Sequence, residues 1–507
     1  MKKLWKKLLA VTTAVMMAIT LLPAMANANA TDGKGSVTII KNGEKSDEFL
    51  AGAKFSFYKI ASITNSEGKD WKYTVEEAYR EKLGDNGIAK NLNDLPSSAW
   101  EAEIDVLAAT NATAIKESEA SAEKTGSTGA TELPLGVYLV KETTTPAGYV
   151  ASKPFIVSVP STDNYDTAGK EGTEFIYNIT AKPKNSKMSV DKTIVNEDKT
   201  AYIGGFVEYK VETQIPKYGT EYTNPVFNIY DKMSNGLSFV NDEAHKLKVF
   251  VGGTEIVERE NTYTLATNGL SDEKTFEIQF AKAFLENKEN KGKKVEVTYY
   301  AQVNKNAVYI NENSANITYQ NKPGETTDAT PSEKNVYTYG IDLTKKGDKS
   351  ADADGLDGAE FTLAVANGEM ISILVNGTKV DVNGNSKDEF RTTTVGIKKG
   401  KLVFKGLKAG TYTLTETKSP SGYSLAKNPI TIVITANKDG SFASATVNEN
   451  TVTNDVKDGI VPVGLQNKSG FSLPATGGMG TYLFTIGGLV IMAGAALLLI
   501  ASRKRRA

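Results

Sequence analysis

Along most of this chain, apolar and polar residues alternate in short runs rich in Val, Ile, Thr, Tyr and Phe. Examples lie at 36–40, 55–60, 137–142, 294–303 and 411–416, with Gly, Asn, Asp and Pro between the runs. A period of two sends successive side chains to opposite faces of a strand. Many short strands punctuated by turn residues predict an all-β chain of tandem Ig-like β-sandwich domains. One stretch, about 74–119, breaks the pattern. Its Glu76-Glu77-Ala78-Tyr79 and Trp100-Glu101-Ala102-Glu103-Ile104 segments read as helical, an insertion in the first domain.

The two ends follow other rules. Residues 1–30 combine Lys2, Lys3, Lys6 and Lys7, an apolar run, and Ala28-Asn29-Ala30. This is the three-part pattern of a secretory signal peptide. Residues 482–502 are uncharged and apolar, and Arg503, Lys504, Arg505 and Arg506 follow at once. Roughly 20 such residues suffice for a transmembrane helix, and a basic cluster stays on the cytoplasmic side. Leu473-Pro474-Ala475-Thr476-Gly477 stands just before the span. The order LPxTG, span, basic tail resembles the cell-wall sorting signal of Gram-positive surface proteins. That resemblance implies that a membrane-bound sortase attacks the Thr476 carbonyl, expels Gly477 and the tail, and passes Thr476 to an amine by acyl transfer. The span then serves only the precursor.

Composition narrows the function. The net charge of −1 gives no electrostatic case for nucleic acid. Cysteine is absent, so toughness outside the cell must come from packing or another crosslink. The single histidine, His245, lies in a polar stretch and is read as a solvated surface residue; Cys-His catalysis is removed, a Ser-His-Asp triad could form only through His245, and no clustered zinc ligands remain. No cofactor or metal is expected.

The body contains a repeat. Val37-Thr38-Ile39-Ile40-Lys41, Leu50-Ala51-Gly52-Ala53-Lys54-Phe55 and the run from Gly136 to Tyr149 recur as Ile341-Asp342-Leu343-Thr344-Lys345, Leu356-Asp357-Gly358-Ala359-Glu360-Phe361 and the run from Gly410 to Tyr423. Three matched elements in one order mean two copies of one fold. The domains expected are 31–183, 184–335 and 336–466, with 467–507 as the sorting signal. The repeats resemble the B-type repeat of collagen-adhesin proteins, the middle domain resembles that of major pilins, and the strand-plus-Glu element resembles the pilin E-box. The chain is thereby similar to the sortase-assembled backbone pilins of Gram-positive bacteria.

Alternation also places polar residues on core faces. Lys345 shares a face with Ile341 and Leu343, Glu416 with Tyr412 and Leu414, and Asn454 with Val452 and Val456. Burial disfavours both the ammonium and the carboxylate. A neutral amine beside a protonated acid can attack an amide carbonyl and release ammonia. The resemblance implies that reaction: a Lys345–Asn454 isopeptide bond with Glu416 as proton shuttle. The corresponding expectation in the first domain is Lys41, Glu142 and Asn178. In the middle domain it is Lys192, Asp231 and Asn313, with Asn316 the weaker acceptor.

The resemblance further implies a lysine between the first two domains that resolves the sortase thioester of the preceding subunit. The chain reads Ala181-Lys182-Pro183-Lys184-Asn185 there, with Lys182 where the family often has tyrosine. Lys184 is the expected nucleophile and Lys182 the fallback, giving an open head-to-tail filament. The expected product is a peptidoglycan-anchored pilus shaft on the cell surface. Its partners would be pilin-type and housekeeping sortases, identical subunits, and minor or tip pilins. A monomeric wall-anchored adhesin or an ancillary pilin is the alternative, and a surface enzyme is the third reading.

Overall fold

The computed structural model describes residues 33–66, 70–83, 104, 106–161, 175–366, 372–382, 388–395, 398–470 and 492. The expected signal peptide, the sorting pentapeptide Leu473–Gly477, the basic tail and the span other than Met492 lie outside them. Among the described residues no helix is long and apolar enough to cross a membrane. Among the described residues the regular elements are mostly β-strands, with few helices, and the chain divides into two compact units: 1–197, 206–302 and 312–335 in one, and 198–205, 303–311 and 336–507 in the other.

The first unit holds two sandwiches. In the first, Lys34–Ile40 is the centre of a three-stranded sheet, antiparallel to Ser127–Pro134 and parallel to Asn178–Ala181. The facing sheet runs Asp70–Val75, Lys54–Ser66, Gly136–Thr144, Phe155–Val159. Val37, Ile39, Phe55, Phe57, Tyr138 and Val140 close the core between them. Part of the expected helical insertion falls among the described residues. Glu77–Leu83 is a helix, but Thr74 belongs to the preceding strand and Lys116–Glu117 returns to a strand. Trp100 to Glu103 lie outside the described residues.

In the second sandwich, one sheet centres on Phe206–Gln214 and Lys294–Val303, with Asp191–Ile194 at the edge. The other centres on Phe227–Met233 and Ile310–Lys322. The second unit repeats the architecture of the first sandwich. Tyr339–Gly347 lies between antiparallel Lys398–Leu407 and parallel Ile460–Asn467, over a sheet containing Glu360–Val365, Gly410–Lys418 and Ile430–Ala436. The parallel pairing sets the first and last strands of the repeat side by side. Pro462 is tolerated because its strand lies at the sheet edge.

Candidate functional site

Each sandwich carries a lysine, an acid and an asparagine inside its core. Lys41, Lys192 and Lys345 are fully buried, and Glu142, Asp231 and Glu416 nearly so. Burying an aliphatic side chain stabilises by about 1.5–3 kcal/mol, whereas sealing an ammonium from water costs several kcal/mol. A lysine at such a position therefore opposes the packing around it unless its charge is matched or removed.

In the third sandwich, alternation along Tyr339–Gly347 turns Lys345 inward beside Ile341 and Leu343. Its Nζ donates to the Lys346 carbonyl at 3.0 Å. Burial lowers its pKa to about 8, opposed by the negative charges of Glu416 and Asp352. Glu416, from the facing sheet, accepts from the Ala426 amide at 2.7 Å. Both its oxygens also accept from the Asn467 side-chain nitrogen at 2.9 Å.

Asn467, not Asn454, is thus the asparagine brought to the acid. Asn454 is exposed in a single 3₁₀ turn, Thr453–Asp455, that precedes the last strand. The strand itself is Ile460–Asn467, and its inward face carries Val461, Val463 and Asn467.

The first sandwich reproduces this arrangement. Lys41 Nζ lies 3.0 Å from Glu142 Oε2, and burial lowers the lysine pKa against the pull of that carboxylate. Glu142 Oε1 accepts from the Asn185 side-chain nitrogen at 2.9 Å. Its Oε2 accepts from Ser152 through the backbone N–H at 2.8 Å and the hydroxyl at 2.9 Å. Asn185 is buried and its Oδ1 has no hydrogen-bond partner among the described residues. Asn178, the expected acceptor, points outward and accepts from the Ser36 hydroxyl at 2.8 Å. Ile179 and Ala181 take the core face of that strand. Continuing the alternation through Pro183 brings Asn185 inward and leaves Lys184 exposed and Lys182 half-buried.

The two repeats match in register as well. Gly347 pairs with Asn467, two residues after Lys345. Asn42 bridges Lys184 in parallel, which sets Gly43, two residues after Lys41, opposite Asn185. At both glycines a Cβ would collide with a carboxylate, 2.4 Å from Glu48 Oε2 at Gly43 and 2.3 Å from Asp352 Oδ2 at Gly347. Each carboxylate accepts from the tyrosine that ends its repeat, Tyr149 or Tyr423, at 2.5 Å.

The middle site is built differently. Lys192 comes from one sheet, and Asp231 and Asn313 from adjacent strands of the facing sheet. Lys192 Nζ donates to Asp231 Oδ2 at 2.6 Å and sits over the rings of Tyr209 and Tyr299, 4.8 and 5.4 Å from their centroids. Burial lowers the lysine pKa to about 8 and raises that of Asp231, each opposed by the other's charge. Asp231 Oδ1 and Asn313 Oδ1 have no hydrogen-bond partner among the described residues. Asn316, the weaker candidate, donates to the Tyr230 hydroxyl at 3.2 Å and the Ala329 carbonyl at 2.9 Å, a structural role. His245 is half-buried rather than solvated, stacked on Phe206 with ring centroids 3.8 Å apart.

The chemistry open to these sets is specific. Burial makes the amine available as a nucleophile, the asparagine amide carbonyl is an electrophile in the same buried set, and the acid can carry protons between them. Condensation would remove the buried charge pair altogether.

Comparisons with known proteins agree with the architecture. A family model for a prealbumin-like fold domain matches residues 35–173 and again 340–450. One for Gram-positive pilin backbone subunit 2, a Cna-B-like domain, matches 203–323, and the LPXTG cell wall anchor motif matches 466–507. Fimbrial subunit type 2 of Actinomyces naeslundii is 27% identical over 492 residues, covering 89% of this chain and 82% of its own. The T6 backbone pilin of Streptococcus pyogenes superposes with a TM-score of 0.55 at 18% identity, over 87% of this chain and 99% of that one. The full-length major pilin SpaD of Corynebacterium diphtheriae gives 0.53 at 20%, over 86% and 98%.

Proposed function

This chain belongs to the backbone pilins of Gram-positive bacteria, anchored at the cell wall through an LPXTG motif, and from that premise we propose a doubly amide-linked shaft subunit. Internally, Lys41–Asn185, Lys192–Asn313 and Lys345–Asn467 condense with loss of ammonia, assisted by Glu142, Asp231 and Glu416. Between subunits, a pilin-type sortase joins Thr476 of one chain to Lys184 of the next, and a housekeeping sortase transfers the base of the filament to peptidoglycan. The proposed domains remain 31–183, 184–335 and 336–466, with Asn185 reaching back from the second into the first site.

The observation that carries the reading is the acid's position. In both repeats it accepts directly from the asparagine nitrogen, the atom that must gain a proton to depart. An ion pair alone needs no amide there. Lys184 adds support: it is exposed while its neighbour Asn185 is buried, so the internal bond would fix the strand that presents the intermolecular amine.

Two measurements test this. The intact mass of the ectodomain should fall short of its calculated value by one ammonia per bond, and a full-length mass overturns the internal bonds. Immunoblots of wall extracts should show a high-mass ladder that collapses to one band in Lys184→Ala. A single band in the wild type would support the adhesin or ancillary-subunit reading instead.

A further inference from the structure

The middle site lacks the contact on which the other two are built. Asp231 is one methylene shorter than Glu142 and Glu416, and it makes no hydrogen bond to the amide of Asn313. The hydroxyl of Tyr299 fills the gap. It donates to Asp231 Oδ2 and accepts from the Asn313 side-chain nitrogen at 3.3 Å. Tyr299 is fully buried, and its ring is held by Tyr209, Phe239 and Phe276. It stands on Lys294–Val303, paired with Tyr209 on the neighbouring strand.

We propose that Tyr299 is a catalytic residue of the middle domain, relaying a proton from Asp231 to the departing nitrogen of Asn313. The proposal rests on the reading that Lys192 and Asn313 condense. Lys192 first gives a proton to Asp231, and its free amine attacks the Asn313 side-chain carbonyl carbon. The protonated Asp231 then donates to the tyrosine oxygen, and the tyrosine hydroxyl turns to the amide nitrogen, now tetrahedral and basic. One proton passes along this chain. The carbon–nitrogen bond to the old amide breaks, ammonia leaves, and the Lys192–Asn313 amide remains. The second proton released by the lysine nitrogen stays on Asp231, whose buried carboxyl is then neutral. The tyrosine ends with the proton count it began with. Burial holds Tyr299 well above the usual phenol range, with the Asp231 charge adding to the effect. It therefore acts as a conduit and not as a base.

The test follows Lys192–Asn313 formation in freshly synthesised full ectodomain, quenched in denaturant and digested for mass spectrometry of the branched peptide. Tyr299→Phe keeps the ring and removes the relay. Formation should slow on the order of 10²-fold, the low end of general acid–base effects, while the Lys41–Asn185 and Lys345–Asn467 peptides appear at the wild-type rate. The double variant Tyr299→Phe with Asp231→Glu should recover most of the loss, because the added methylene carries the acid into the space the hydroxyl vacates. Wild-type rates in Tyr299→Phe would overturn the relay. So would a slow Tyr299→Phe that Asp231→Glu fails to rescue, since packing alone would then account for it. Absence of the branched peptide from the wild type would instead refute the condensation itself.

Discussion

An ammonium buried beside a carboxylate is matched in charge but not in solvation, and that imbalance is what each site would relieve by condensing. The unreacted pair should leave a signature when the acceptor is removed. In Asn313→Ala, Lys192 stays buried with a pKa lowered from 10.5 to about 8. The unfolded chain then binds more protons than the folded one between those values, so stability rises with pH across that window and falls as pH drops through about 8. In the bonded wild type the amide does not titrate. The melting temperature of Asn313→Ala relative to wild type should therefore climb from pH 8 to pH 9.5, a difference in which the shared tyrosines cancel. A gap that stays flat would mean Lys192 is not buried as an amine. At the third site, Gly347→Ala offers a steric check. Its Cβ would fall 2.3 Å from Asp352 Oδ2 and 2.7 Å from the Tyr423 ring. Lys345–Asn467 formation should slow there, with the other two bonds unaffected, as read from the three branched peptides.

Strands decide which asparagine reaches the acid. Substituting Asn467 with Ala should raise the ectodomain mass by one retained ammonia relative to wild type, allowing for the side-chain change, whereas Asn454→Ala should leave the deficit intact. Asn185→Ala against Asn178→Ala gives the same contrast in the first sandwich. Glu416 and Lys345 were legible because alternation is unbroken around them, with Tyr412, Leu414 and Glu416 on Gly410–Lys418 and Ile341, Leu343 and Lys345 on Tyr339–Gly347. The acceptors were not, for a physical reason. Ile460–Asn467 is an edge strand interrupted by Pro462 and Gly464, and its inward face is marked mainly by Val461 and Val463. The Val452 to Val456 segment shows better alternation but folds as a 3₁₀ turn. In the first repeat, the strand reaching Asn185 passes through Pro183, which reads as a linker. Asn313 was legible because Asn311, Asn313 and Ala315 alternate inward at the start of Ile310–Lys322. Tyr299 is not legible in the sequence, because a tyrosine on a core strand is ordinary there and only the hydroxyl's two partners distinguish it.

At the scale of the assembled filament, the two proposed linkage points would determine which of the proposed internal bonds bear load. Tension would enter each subunit at Lys184 and leave at Thr476. Lys192–Asn313 and Lys345–Asn467 enclose most of the chain between those points, so force would pass across the two amides and bypass the loops they close. The first sandwich, which lies before Lys184 in sequence, would hang outside the load path with its own bond unstrained. Hydrogen-bonded sandwiches hold only about 5–15 kcal/mol of stability, and without the amides they would extend. Pulling a subunit between Lys184 and its C-terminal end should thus give no unfolding step in the wild type. Asn313→Ala should add one step that releases roughly 400 Å of chain, at about 3.3–3.6 Å per residue, and Asn467→Ala a second of similar size. Asn185→Ala should add none, although it costs the first sandwich its protease resistance. An extension step in that last variant would mean that the first sandwich shares the load applied between those two points.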